Sequence, residues 1–479
     1  MDPQAAAQAK FAELGFFVLS GLPKGSEFGL DGKLWQVNAF SGVKFLPAGL
    51  HFFTFSAAPS AAQQAHLPES LSSGVGVRHG ILRFFRQGET VVEEWDNARE
   101  ELKRPGGKAQ GQRKRRRTTE AGEAREETAV SDEYLKGLDK SLAPYPEDVG
   151  PQWAALTGFV TENTIARVVG VDEHGCGLVD ALMGSTMDEP AADTNTSGGK
   201  QTWGKVRDEV EDDDDEPKLR EIVDEDDEAE VIGPALLEFV KFDEKRSWPK
   251  GATGEELTRW SKDKSWQLSE VVRSQLSDDP KELLAELQLA FVFFSLLHNF
   301  SSLTVYKSLF SLICRSTTLA RPPSQRESGI VLPSSILEAA SLPLFASFLA
   351  LFHSQVDFLE PDFFTTQLPS LKAHLLDSLT VLSQALSDAL PSWLALSQTD
   401  EKVAGVWKEV VKRWDALAAL TMAKFGWDLG VIKGSRARYT TEGRTQREED
   451  EIDLEDLEEG EDAPVIVDEE GLYIAPDDY

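Results

Sequence analysis

Residues 15–55 read GFFVLSGLPKGSEFGLDGKLWQVNAFSGVKFLPAGLHFFTF. Short β-branched and aromatic runs, Phe16–Leu19, Leu34–Val37, Val43–Leu46 and His51–Phe55, alternate with turns marked by Gly and Pro. Small antiparallel strands in a sandwich or barrel have that rhythm, whereas βαβ units need a helical pattern between the strands. The stretch is poor in reactive groups. His51 is its only imidazole, it has no Cys, and Glu27 and Asp31 occupy turn-like positions. Lys24, Glu27, Phe28 and Trp35 are its candidates for a protein-binding platform.

The strand pattern resumes in Gly80–Phe85 and Thr90–Trp95, joined by Arg86-Gln87-Gly88-Glu89 in a hairpin-like connection. From Glu100 to Thr128 no apolar face survives, and this basic insertion is expected to be disordered. Leu135, Leu138 and Leu142 then fall at helical spacing, as do most apolar residues of Trp153–Val168, with Pro144 and Pro146 separating the two helices. The expected divisions are a β-sandwich domain over 10–168, an acidic disordered linker over 169–231, a helical domain over 232–433 and an acidic tail over 434–479.

Within the helical part, Glu238–Phe242 reads as a short strand. Thr253 with Glu256 predicts a capping box, Asp279-Pro280-Lys281-Glu282 repeats the logic, and Ser335 with Glu338 does so again. Leu283, Leu287, Ala290, Phe294 and Leu297 form one stripe of a central helix that is apolar nearly all round. Further helices are predicted near 303–314, 336–356, 363–386 and 393–425, giving an all-α superhelix or bundle.

The chain of 479 residues carries a formal net charge of −33, concentrated in Glu209–Glu230 and Glu448–Glu461. Such blocks repel themselves and stay solvated, the negative balance disfavours direct binding to RNA, and no direct sequence-specific nucleic-acid partner is expected. Cys176 and Cys314 are the only cysteines, which suits a reducing compartment, and no apolar run is long enough for a membrane span. The expected location is cytoplasmic and nuclear. Lys103, Arg104, Arg113, Lys114, Arg115, Arg116 and Arg117 form a two-part basic cluster that reads first as a nuclear import signal, with a nonspecific RNA contact or a plain solvated loop as the other readings. No interleaved aromatics supply the stacking needed for single-stranded nucleic acid.

Neither a P-loop nor a G-x-S-x-G nor metal-ligand spacing occurs, and Gly74, Gly76 and Gly80 lack the spacing of a dinucleotide loop. Neither an enzyme, a cofactor nor a metal is expected. The tail carries Ala463 followed by Pro464, Val465, Ile466 and Val467, an isolated β-branched run whose simplest use is to add a strand to another sheet, the other readings being that it tucks back on its own domain or is a disordered end.

Several motifs in order resemble the alpha-one cistron splicing factor (Aar-two) family. They are Pro23–Asp31, Trp35-x-Val37, Gly42–Phe53, Leu142–Pro146, Trp153–Phe159, Trp248–Thr258, Glu286–Phe300, Tyr306–Ser316, Phe358–Phe364, Lys424–Leu429 and Ala463–Val467. The basic insertion, the acidic linker and the acidic block before the tail depart from that pattern. The resemblance implies an α+β multidomain protein with an N-terminal β-sandwich and a C-terminal helical domain similar to the VHS fold. It implies a non-enzymatic assembly chaperone of the U5 small nuclear ribonucleoprotein. Its partner would be the large U5 protein, pre-mRNA-processing factor eight, with the RNase H-like domain gripped between the two domains. The tail strand would bridge to the Jab/MPN domain, and premature helicase docking would be blocked. A generic helical scaffold or adaptor for peptide or trafficking cargo is the alternative, and a hydrolase with a dispersed site is a third.

Overall fold

In the computed structural model, residues 13–38, 40–58, 77–97, 101–103, 135, 137–188, 236–326, 330–398 and 400–432 are described. The first part contains β1 (Gly15–Ser20), β2 (Glu27–Leu30), β3 (Lys33–Gln36), β4 (Gly42–Leu46), β5 (Gly49–Ser56), β6 (His79–Phe85), β7 (Thr90–Asp96), β8 (Glu101–Lys103), β9 (Leu142–Pro144) and β10 (Gly177–Asp180). They build two five-stranded sheets, β8-β7-β1-β4-β9 and β10-β6-β5-β2-β3. The first sheet is mixed, because β1 runs parallel to β7 and β4 parallel to β9.

Period-two alternation explains the packing. Phe17, Phe28, Phe53, Phe55, Phe85 and Trp95 point between the sheets, where the Phe17 and Phe53 rings stack at 3.9 Å. On the outside of the first sheet, Phe16, Val18 and Val92 are covered by Leu135 and Leu142. On the outside of the second, Leu50, Phe52 and Leu82 belong to the same apolar cluster as the helices. Strand β5 is therefore buried on both faces and shows no polar alternation.

The helices are α1 (Val149–Thr157), α2 (Glu162–Val168), α3 (Glu255–Lys262), α4 (Ser265–Gln275), α5 (Pro280–Leu297), α6 (Phe300–Cys314), α7 (Ser335–Ala339), α8 (Ser341–Phe358), α9 (Phe363–Thr366), α10 (Pro369–Ser397) and α11 (Glu401–Phe425). Helix α5 is apolar on almost every side and lies at the centre. Its Phe293 ring meets Phe52 of β5 at 6.0 Å, and its Gln288 accepts the Phe159 N–H at 2.8 Å.

Several local expectations are corrected. Strands β6 and β7 do not form a hairpin: they lie in different sheets. The turn between them is a corner, braced by the buried Arg83–Glu89 ion pair and by the Arg86 N–H on Glu89 at 2.7 Å. Leu142 opens β9 rather than closing a helix, because its register lies alongside Gly42 of β4. The expected linker does not begin at residue 169. Strand β10 lies within it and pairs antiparallel with β6, so the sheet domain continues to residue 188. Ser185 then bridges Leu237, and the Leu237 N–H donates to Gly184 O at 2.9 Å. Residues 184–186 and 237 thus lie side by side on the body.

Residues 238–242 form no strand. The Glu238 N–H goes to Val168 O, the Val240 N–H to Glu286 and the Lys241 N–H to Gln275, so side chains and one carbonyl take what a ladder would use. Gly254 at φ 56°, not Thr253, caps α3, and the Glu256 N–H bonds the Thr253 main-chain carbonyl. Asp279 caps α5 as read, accepting from the Lys281 N–H, but Glu282 turns to Arg167 instead of back to the cap. Ser334 rather than Ser335 caps α7, and Glu338 pairs with Arg326. Helix α10 passes through Pro391 to Ser397, where Trp393 stacks on Trp407 at 6.0 Å and donates to Ala320 O, and α11 starts behind the Asp400 cap.

Candidate protein-binding cleft

Strands β2 and β3 are joined by Asp31 at φ 52° and Gly32 at φ 91°, the conformation a two-residue hairpin requires. The tip abuts the helical part. A Cβ on Gly32 would lie 2.7 Å from Cε2 of Phe358, the last residue of α8. Asp31 is anchored from behind. Its carboxylate accepts the Phe52 N–H at 2.9 Å and the Tyr145 hydroxyl at 3.0 Å, and meets His51 Nδ1 at 2.7 Å. The other His51 nitrogen faces Pro47 O at 2.8 Å, so the imidazolium form donates at both ends.

Burial opposes a charge on His51. The hydrogen bond and charge of Asp31, with the Pro47 carbonyl, nonetheless raise its pKa above the ordinary 6.5. The same carboxylate, after burial, pushes the Tyr145 hydroxyl far up. With both ring nitrogens bonded and the ring buried, this triad fixes the hairpin. Because the folded pKa exceeds the unfolded one, the stabilisation is complete below pH 6.5 and is lost as pH rises through the folded pKa. A pH series of thermal melts should therefore show stability falling above neutrality in the parent. His51→Gln should flatten that slope; an unchanged slope would assign it to another group.

The hairpin, the start of α1, the end of α5, the start of α6 and the end of α8 enclose a cleft of about 930 Å³. Asn299 ties its floor. The side-chain amide donates to the Asp180, Ala181 and Met183 carbonyls at 3.1, 3.2 and 2.8 Å, while its oxygen caps α6 on the Ser302 N–H. Phe300 and Leu182, on either side of that tie, are 76% and 78% exposed. Arg78 bonds Glu27 at 2.8 Å, Leu296 O at 3.0 Å and His298 Nε2 at 3.1 Å. Burial and the neighbouring guanidinium lower the His298 pKa, leaving a neutral ring that accepts from Arg78. At the rim, Lys33 pairs with Asp148 at 3.0 Å and holds that carboxyl below its usual range. Exposed pairs of this kind contribute little stability. Exposed aromatic and aliphatic groups with charges of both signs around them suit a protein surface better than a small substrate. Among the described residues no cluster suited to a metal ion occurs, and no helix is long and apolar enough to cross a membrane.

The four platform residues do not share one surface. Phe28 is buried between the sheets, with its ring 6.5 Å from that of Trp35 on β3, which is 38% exposed. Glu27 lies in β2 rather than a turn and holds Arg78; Lys24 is exposed in the turn before it. Lys103 ends β8, in register with Glu94. Arg104, Arg113–Arg117 and the tail residues Pro464–Val467 lie outside the described residues. Sequence reading missed Arg78, Asn299 and Phe300. The only available signals were the Asp31-Gly32 turn dipeptide and an Asn ahead of an apolar helix.

Residues 13–170 match the AAR2 N-terminal domain, and residues 239–430 match the AAR2 C-terminal repeat region. The chain is also similar to proteins named Protein AAR2 homolog. That of Mus musculus is 30% identical over 328 residues, covering 66% of this chain and 73% of the mouse protein. That of Homo sapiens is 28% identical over 328 residues, with the same shares of 66% and 73%. That of Caenorhabditis elegans is 30% identical over 155 residues, 32% of this chain and 34% of its own length.

Proposed function

This chain belongs to the AAR2 family, and from that premise we propose that it is a non-enzymatic assembly factor of the U5 small nuclear ribonucleoprotein in pre-mRNA splicing. In this reading it binds the RNase H-like and Jab/MPN domains of pre-mRNA-processing factor eight and prevents premature helicase docking. It works in the cytoplasm and the nucleus, with a VHS-like helical domain and a tail whose Pro464–Val467 pairs as a strand. The observation that carries the reading is the cleft between the sheets and the helices, where Phe300 stands exposed above a rim of both charges. Arg78 and Asn299 tie the sheet side of that cleft to its helical side, so a partner meets a formed surface rather than two jaws that must close.

Isothermal titration of the full chain with the purified RNase H-like domain tests this. A stable complex is expected, and Phe300→Asp should weaken it by about tenfold or more, as burial of an unpaired carboxylate costs over 1.4 kcal/mol. Deleting residues 462–479 should weaken capture of the Jab/MPN domain. Absence of any complex with the RNase H-like domain would overturn the reading.

A further inference from the structure

Strand β3 is an outer strand of the second sheet, and all four of its residues, Lys33 to Gln36, are exposed. Val37 shows which backbone groups β2 has taken. Its N–H donates to Ser26 O at 2.9 Å, and its carbonyl accepts from the Gly25 N–H at 2.7 Å. By the antiparallel alternation, Lys33 and Trp35 also face β2, while Leu34 and Gln36 direct N–H and C=O off the edge. Among the described residues those four groups have no partner. Outer strands are ordinarily guarded by charge, proline or a covering segment, and here the guard is Lys33 beside a half-exposed Leu34 and Trp35.

The two faces of this edge differ. On the Trp35 side, β3 and β9 leave the sandwich open as an apolar slot of about 430 Å³ walled by Phe28, Trp35, Phe40, Tyr145, Pro144 and Pro146. Pro144 has no N–H, so β9 is the poorer strand to extend. On the Leu34 side the edge borders the cleft, where Lys33 is matched by Asp148 and Lys424 donates to the Asp357 main-chain carbonyl at 2.6 Å, while the Asp357 and Glu360 carboxylates have no ion pair among the described residues.

We propose that β3 is a docking edge for an extended segment of another protein, an amphipathic strand with β-branched or aromatic residues at every second position and Lys or Arg between them. Side chains of an added strand alternate between its faces. One set would enter the aromatic slot, and the other would overhang the cleft beside Asp357 and Glu360. The Asp357 and Glu360 carboxylates beside the edge, within a chain of net charge −33, favour a basic segment over an acidic one. Main-chain hydrogen bonds from Leu34 and Gln36 would supply affinity, and the slot would supply selectivity. The site stands whichever protein fills the cleft.

The probe is a fluorescent, N-acetylated octapeptide alternating Val and Lys, titrated into the full-length protein and read by anisotropy. Two further peptides carry N-methyl groups on either the Val or the Lys amides, each removing the donors of one edge. The parent peptide is expected to bind, one methylated form to lose binding and the other to keep it. Replacing Lys by Glu in the peptide should abolish binding. Gln36→Pro removes an outward N–H without touching the β2 ladder, and should weaken binding by about tenfold with an unchanged melting temperature. No binding of the parent peptide, equal binding of both methylated forms, or full binding to a folded Gln36→Pro variant would overturn the proposal. The methylated pair uses the unaltered protein, so the test holds even where the variant fails to fold.

Discussion

Arg167→Ala is expected to destabilise the protein by about 3 kcal/mol, the lower end of what breaking a buried ion pair costs, because the arginine side chain is itself 30% exposed. Arg167 on α2 reaches two carboxylates of α5, pairing with Glu286 and, at 2.9 Å, with Glu282. Glu286 is fully buried, and its second oxygen takes the Val240 N–H at 2.9 Å. One arginine thus joins the sheet part, the re-entering chain and the central helix. Without it, Glu286 has no opposing charge, and burial already raises its pKa against the pull of Arg167. A raised folded pKa means the carboxyl is tolerated protonated and resisted ionised, so the deficit should grow as pH rises from 5 to 8. Urea unfolding at the two pH values would measure it. Arg167→Met combined with Glu286→Leu should recover most of the loss, because two apolar groups of similar size need no mutual charge. A loss below about 1 kcal/mol, or none of it recovered by the pair, would show that the contact is peripheral.

That contact also marks where the sequence stopped being legible. Strands β1, β3, β4 and β5 follow from runs of apolar residues bounded by turns, and α5 from Asp279-Pro280 followed by a stretch apolar on all sides. These are local signals, and each has a local physical cause. Strand β2 was hidden because Glu27 looks like a turn residue, although its side chain is the partner of Arg78. Residues 238–242 have strand composition, but distant groups took their amides. The crossing from β6 to β7 rests on Arg83 and Glu89 burying their charges together, which spacing does not reveal. The cleft was the least legible part. Asp31, His51 and Tyr145 lie in separate segments and meet only after the hairpin has folded onto β5. Family motifs located the two domains, yet they did not show that the domains share a core.

That shared core sets the largest expected effect. Phe293→Ala should cost about 3–5 kcal/mol, the usual range for emptying a buried aromatic site. The ring is fully buried and packs on Phe52 of the sheet at 6.0 Å and on Phe239 at 6.5 Å. If the two parts were independent domains, calorimetry of the variant would show the helical transition moving down and the sheet transition staying in place. The continuous cluster from Leu50, Phe52 and Leu82 into α5 predicts instead that the parent melts in one cooperative transition and that the whole transition shifts. A double-mutant cycle with Phe52→Ala should give a coupling of about 0.5–3 kcal/mol, since the two rings share one space. Amide exchange in β5 and β6 should then accelerate along with that in α5, although the substitution lies in the helix. Two separated transitions, or sheet amides that keep their protection, would contradict the shared core. They would return the cleft to a hinge between domains, with closure left for the partner to drive. One transition would instead mean that the distance between Gly32 and Phe358 is set by folding, before any partner arrives.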